Sequence, residues 1–180
     1  MKKGIVFLVL VLFFRGTLMA QQPEIYLIGV PSFDYDIVIE ASFLPYLEVM
    51  NNLATQNDLQ IKVQQSFRKI GGNISGAIVP PADRSNHLVG HALDINIVHN
   101  GIWYNSSKLA LENWDNLPQA IRNFISGCES AGIRWGGRFS TPDPVHFDSG
   151  INVRDQRWYD GWLGALQRLY VKEYEREPHK

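Results

Sequence analysis

The sequence predicts an α+β domain over residues 21–180, a small antiparallel sheet flanked by helices. Three observations point there. Segments with two-residue alternation, such as "LQIKVQQSF" and "HALDINIV", read as half-buried strands. "HALDINIV" runs into His99-Asn100-Gly101 and then "IWY", which marks a tight hairpin and therefore antiparallel pairing. Longer segments with helical spacing fall irregularly between the strands, not in strict strand–helix alternation.

Taken in order, residues 1–20 stand apart. Lys2 and Lys3 precede an apolar run from Gly4 to Phe14, and "RGTLMA" leads to Gln21. That run is shorter than the roughly 20 residues of a membrane span and has the proportions of a secretory signal peptide. Cleavage is expected after Ala20, leaving no stable membrane association; Arg15 and Leu18 depart from the usual pattern, and an uncleaved anchor is the alternative. Export places the protein in a bacterial periplasm or cell envelope, or in the medium. "EIYLIGVPSFDYD" reads as an extended start. "IVIEASFLPYLEVMNNLATQND" carries helical spacing with Pro45 as a kink or break. "LQIKVQQSF" is a strand that delivers Arg68, and glycine-rich "KIGGNISGAIVPPADR" is a loop. After the hairpin, Leu117–Ala131 is an amphipathic helix that stops at Gly132. "IRWGG" and "VHF" are short strands joined by the loop "RFSTPDP", and Asp155–Tyr174 is a closing helix.

Composition narrows the function. The net charge is −1 with no basic run, which argues against nucleic acid as a partner. Cys128 is the single cysteine, so no intramolecular disulfide exists, and its helical setting marks it as a buried small hydrophobe. Oligomeric state is not legible.

Chemistry concentrates in "SNHLVGHALDIN". Along the strand, His91, Leu93, Ile95 and Ile97 share one mostly aliphatic face, and Asp94 points to the other. His91 therefore reads as structural. His87, before the turn at Gly90, can reach the face that carries Asp94. An imidazole and a carboxylate suit a divalent ion, but a catalytic zinc takes three protein ligands and keeps an open position. His99 lies in a turn and His179 in the tail, which leaves His146 as the third ligand. Asp143, three residues earlier and stiffened by Pro142 and Pro144, is the candidate base for a metal-activated water. Asp148 is its rival, although it could equally orient His146. Arg68 is the candidate donor to a developing oxyanion.

These residues fall in recognisable motifs. "SNHLVGHALDI" resembles the Ser-x-His-x-x-Gly-x-Ala-x-Asp signature of the D-Ala-D-Ala carboxypeptidase and L-Ala-D-Glu endopeptidase family of zinc peptidases. "WGGRFSTPDPVHF" is similar to the family's second motif, and "SFRKIGG" looks like its upstream arginine segment. The resemblance implies a hedgehog-like fold and one Zn²⁺ bound by His87, Asp94 and His146. It also implies Asp143 as general base and Arg68 as oxyanion donor. Ser85 and Trp135 match the motifs' serine and tryptophan, with substrate-orienting or supporting roles, and Asp148 stands where the family often has Glu. The implied substrate is the stem peptide of peptidoglycan. The compact Asp-x-x-His spacing looks like the L-alanyl-D-glutamate endopeptidases; a D-alanyl-D-alanine carboxypeptidase is the alternative. A zinc-containing binding module without turnover, like the hedgehog signalling domain, is the reading from another class.

Overall fold

The computed structural model describes residues 22–72 and 83–174; the leader, most of the glycine-rich loop and the tail with His179 lie outside the described residues. The chain opens with a two-stranded antiparallel sheet of β1 (Ile25–Ile28) and β2 (Ile37–Glu40). Helical spacing had placed Ile37–Glu40 in a helix. The β-branched Ile37, Val38 and Ile39 instead form a strand, as side chains stiff at χ1 favour. Glu40 then ends the strand by capping a 3₁₀ turn over Ala41–Phe43, accepting from the Ser42 amide at 2.8 Å. Helix α1 (Leu44–Gln56) begins only there. Pro45 neither kinks nor breaks it, because in the first turn its missing N–H has no partner to lose.

The main sheet has β3 (Gln60–Gln65), β4 (Ala92–His99), β5 (Ile102–Tyr104), β6 (Arg134–Trp135) and β7 (His146–Asp148). All pairings are antiparallel, in the order β3-β4-β7-β6, with β5 also on β4. The β4–β5 hairpin turns through Asn100 at φ 51° and Gly101 at φ 75°, the left-handed pair that a two-residue hairpin of this hand requires. Between β5 and β6 come α2 (Ser106–Leu109), a 3₁₀ stretch over Leu111–Asn116 and α3 (Gln119–Ser130). After β7 come α4 (Ile151–Arg154) and the long α5 (Gln156–Tyr174). Among the described residues no helix is long and apolar enough to cross a membrane.

One face of the main sheet makes the principal core. Ile61, Leu93, Ile95, Ile97 and Phe147 pack against Leu47 and Met50 of α1 and Ile121, Phe124 and Ile125 of α3, all fully or nearly fully buried. Cys128 lies in this core with its thiol pKa raised by burial, which leaves it inert. A second cluster gathers Ile25, Phe67, Val89, Tyr159 and Leu166 under α5. Period-two alternation then leaves Asp94, Asn96, His146 and Asp148 on the opposite face of the sheet, away from the principal core.

Candidate metal centre

Register brings the first two groups together. Asp94 of β4 stands directly opposite His146 of β7, so the two side chains leave the same face as cross-strand neighbours. His87 arrives from a single 3₁₀ turn over Asn86–Val89. Ser85 caps that turn, accepting from the His87 amide at 3.4 Å, and the Ser85 carbonyl accepts from the Tyr159 hydroxyl at 2.9 Å. Gly90 ends the turn at φ 71° and lies so close to β2 that a Cβ there would stand 2.5 Å from the Glu40 nitrogen. Position and conformation both demand glycine.

Three ligand-type atoms converge. His87 Nε2 is 3.1 Å from Asp94 Oδ1 and 3.2 Å from His146 Nδ1, and His146 Nδ1 is 2.9 Å from Asp94 Oδ1. A tetrahedral zinc with bonds of about 2.0–2.1 Å holds its ligands about 3.3 Å apart, so this spacing fits such an ion. Two imidazoles and one carboxylate are also a donor set that catalytic sites use, three protein ligands that leave a fourth position for water.

The outer nitrogens are committed elsewhere, and this orients the lone pairs inward. His87 Nδ1–H donates to the Ser66 carbonyl at 2.7 Å, just past the end of β3. His146 Nε2–H donates to Asp148 Oδ2 at 2.9 Å. Asp148 is itself gripped by Arg134, through Nε at 2.6 Å and Nη2 at 2.7 Å, and by the Gly150 amide at 2.7 Å. A carboxylate behind a ligating histidine fixes its tautomer and raises its basicity. Asp148, the rival for the role of base, is placed here behind His146 and is 2% exposed.

The charges in the site reinforce one another. Burial works against ionised Asp94 and Asp148, but hydrogen bonds more than offset it: from His146 and His87 on Asp94, and from His146 and Arg134 on Asp148. Both carboxyls are held well below the usual carboxylate range. Burial also works against charge on His146, yet its hydrogen bonds to Asp148 and Asp94 lift it to about 9. A pocket that stabilises positive charge at the His146 ring to this degree also suits a cation at its centre.

Asp143 differs from the other acids. Burial and the nearby charge of Asp94 raise its pKa, and His146 and His87 only partly counter this. It is the half-buried carboxyl of the cluster whose proton affinity moves toward neutrality. Its backbone is pinned by its amide donating to the Gly136 carbonyl at 2.9 Å and its carbonyl accepting from the His146 amide at 3.0 Å. A Cβ on Gly136 would stand 2.2 Å from the Asp143 oxygen, so the Trp-Gly-Gly segment lets the loop close onto the centre. Trp135 is buried, and its indole N–H donates to the Pro144 carbonyl at 2.8 Å, which holds the same loop from beneath.

Arg68 is fixed through its backbone. Its amide donates to the His87 carbonyl at 2.9 Å, and its carbonyl accepts from Gln167 of α5 at 2.9 Å. Its guanidinium is half-buried; burial lowers its pKa and the charge of Asp94 counters part of that. His91, by contrast, belongs to another network: Nε2–H donates to Glu40 at 3.0 Å and Nδ1 accepts from Ser149 at 2.9 Å. Sequence reading did not single out Arg134, Gln167 or Tyr159. Arg134 stands opposite Asp148 in the β6–β7 register, a relation no local motif reveals.

None of the curated proteins compared with the chain matches it. A family model described as D-alanyl-D-alanine carboxypeptidase matches residues 80–149, and the span that is similar to that family holds His87, Asp94, Asp143 and His146.

Proposed function

We propose that the chain, from Gln21 on, is an exported zinc peptidase that cuts the stem peptides of peptidoglycan, with His87, Asp94 and His146 as the metal ligands. The observation that carries this is the convergence of His87 Nε2, Asp94 Oδ1 and His146 Nδ1 with Asp143 and Arg68 around them. Zinc held by these three groups supplies Lewis acidity to the scissile carbonyl and lowers the pKa of water there. Asp143 takes a proton from the attacking water and returns it to the leaving amine; a raised pKa suits both halves of that exchange. Arg68 donates to the oxygen on which negative charge develops, in surroundings poor enough in water for the charge to count. Asp148 and the Ser66 carbonyl hold the two imidazoles in place.

For the bond, we favour L-Ala–D-Glu, on the compact Asp-x-x-His spacing from Asp143 to His146. The description of the matching family favours the second reading, removal of a terminal D-Ala. A metal-binding module without turnover fits less well, since it gives no role to a half-buried Asp143 of raised proton affinity beside the ligands. Mass spectrometry of a defined pentapeptide muropeptide, incubated with and without a zinc chelator, decides among them. Release of a fragment beginning at D-Glu supports the endopeptidase, and chelator-sensitive loss of one alanine supports the carboxypeptidase. No cleavage by protein shown to contain zinc overturns the proposal. The apolar run before Gln21 supports export, which cell fractionation tests.

A further inference from the structure

The sheet face that carries the metal centre continues beyond it. Along β4 that face presents Asp94, then Asn96, then Val98. Lys62 of β3 lies opposite Asn96, and Trp103 of β5 lies opposite Val98, so both project to the same side. The placement is confirmed by contact, since Lys62 Nζ sits 6.0 Å from the centre of the Trp103 ring across β4. Trp103 is 51% exposed, whereas its neighbour Tyr104 turns to the other face and packs on the core. Core packing therefore does not account for a tryptophan at this position. A lone exposed apolar side chain is ordinary on a protein surface. A broad flat ring on the floor that leads from a hydrolytic centre, with Lys62 and Asn96 beside it, is a different matter.

We propose that Trp103 is a stacking platform for the glycan strand that carries the stem peptide, a sugar subsite continuous with the metal centre. The proposal rests on the peptidoglycan reading above. Its geometry follows from the strand: four residues separate Asp94 from Val98, about 13 Å. In the substrate, sugar begins one residue from an L-Ala–D-Glu bond and runs onward as a polymer. It begins about four residues, again about 13 Å, from a terminal D-Ala bond. Either cut brings pyranose rings within reach of Trp103. The indole offers an apolar face to the C–H side of a sugar, and Asn96, with Lys62 and the Asp34 carboxylate it pairs with at 3.7 Å, offers polar groups to its hydroxyl and acetamido edges.

The test measures binding of a peptide-free oligosaccharide of alternating N-acetylglucosamine and N-acetylmuramic acid by calorimetry, and turnover of one stem peptide with and without its disaccharide. Trp103→Ala and Trp103→Leu are expected to weaken glycan binding about tenfold, while Trp103→Phe, which keeps a flat ring, stays within about threefold of the parent. Trp103→Ala should also erase any preference for the disaccharide-bearing substrate, acting through KM, with free-peptide turnover unchanged. Glycan binding that is absent from the parent, or equal in parent and Trp103→Ala, overturns the platform even if the peptide is cut. Binding lost in Trp103→Ala and Trp103→Leu but kept in Trp103→Phe supports it, even if no peptide is cut and the peptidase reading falls.

Discussion

Two aspartates close to His146 face opposite demands, and the surroundings of each decide which it meets. Asp148 is ion-paired to Arg134, accepts from an amide and from His146, and stays ionised far into acid. Among the described residues Asp143 has no such set of donors, and burial beside Asp94 raises its proton affinity. In the mechanism proposed above, one carboxylate therefore fixes an imidazole and the other exchanges a proton. Replacing Asp143 with Ala is expected to lower kcat about 10²–10⁴-fold with zinc content unchanged, measured by turnover and by metal analysis of the same preparation. Loss of zinc along with activity would instead make Asp143 a ligand. Asp148→Asn should act in the opposite sense, weakening metal affinity about 10–100-fold in competition with a chromogenic chelator, because the His146 ring loses its anionic partner.

At the scale of elements, the centre depends on joints more than on the strands themselves. The turn over Asn86–Val89 must reverse within one residue to enter β4, and Gly90 is that residue. Gly90→Ala puts a Cβ against the β2 backbone and against Phe67, at φ 71°, and backbone at Glu40 cannot rotate away as a side chain would. The expected loss is about 1–3 kcal/mol of stability by denaturant unfolding, with metal affinity falling because His87 is displaced. Such joints also mark where the sequence was legible. Two-residue alternation located β3 and β4, and with β4 the face that carries Asp94; that His146 shares this face follows from the β4–β7 register. Alternation also separated His91 from Asp94, since His91 precedes Leu93 on the core side of the strand. Helical spacing misread Ile37–Glu40, because a four-residue strand is too short for its period to outweigh the periodic segment that follows. The Arg134–Asp148 pair and the clamp of Tyr159 on Ser85 depend on register and on packing between distant segments, which no single stretch encodes.

Across the whole molecule, one buried knot ties the parts together behind the metal centre. Glu40 ends β2 of the small sheet, His91 leads into β4 of the main sheet, Ser149 follows β7, and Trp158 of α5 lies with its ring 5.0 Å from that of His91. Burial works against ionised Glu40, but hydrogen bonds from His91 and from Ser42 more than offset it, and its pKa is lowered. A carboxyl depressed in the native state contributes stability that is fully present above its unfolded pKa, about 4.3, and is lost as pH falls through the lower native value. Glu40→Gln keeps the shape and removes the charge, so the gap in unfolding midpoint between parent and variant measures that contribution. The gap should be widest near neutral pH, hold down to about pH 5, and narrow as the parent's own carboxyl is protonated below about pH 4. An equal gap at every pH would mean that packing at this site, not the ionised carboxylate, holds the two sheets and α5 together. Narrowing in acid would show that the junction of the two sheets and α5 is secured by the charge of Glu40, a group remote from the reacting atoms.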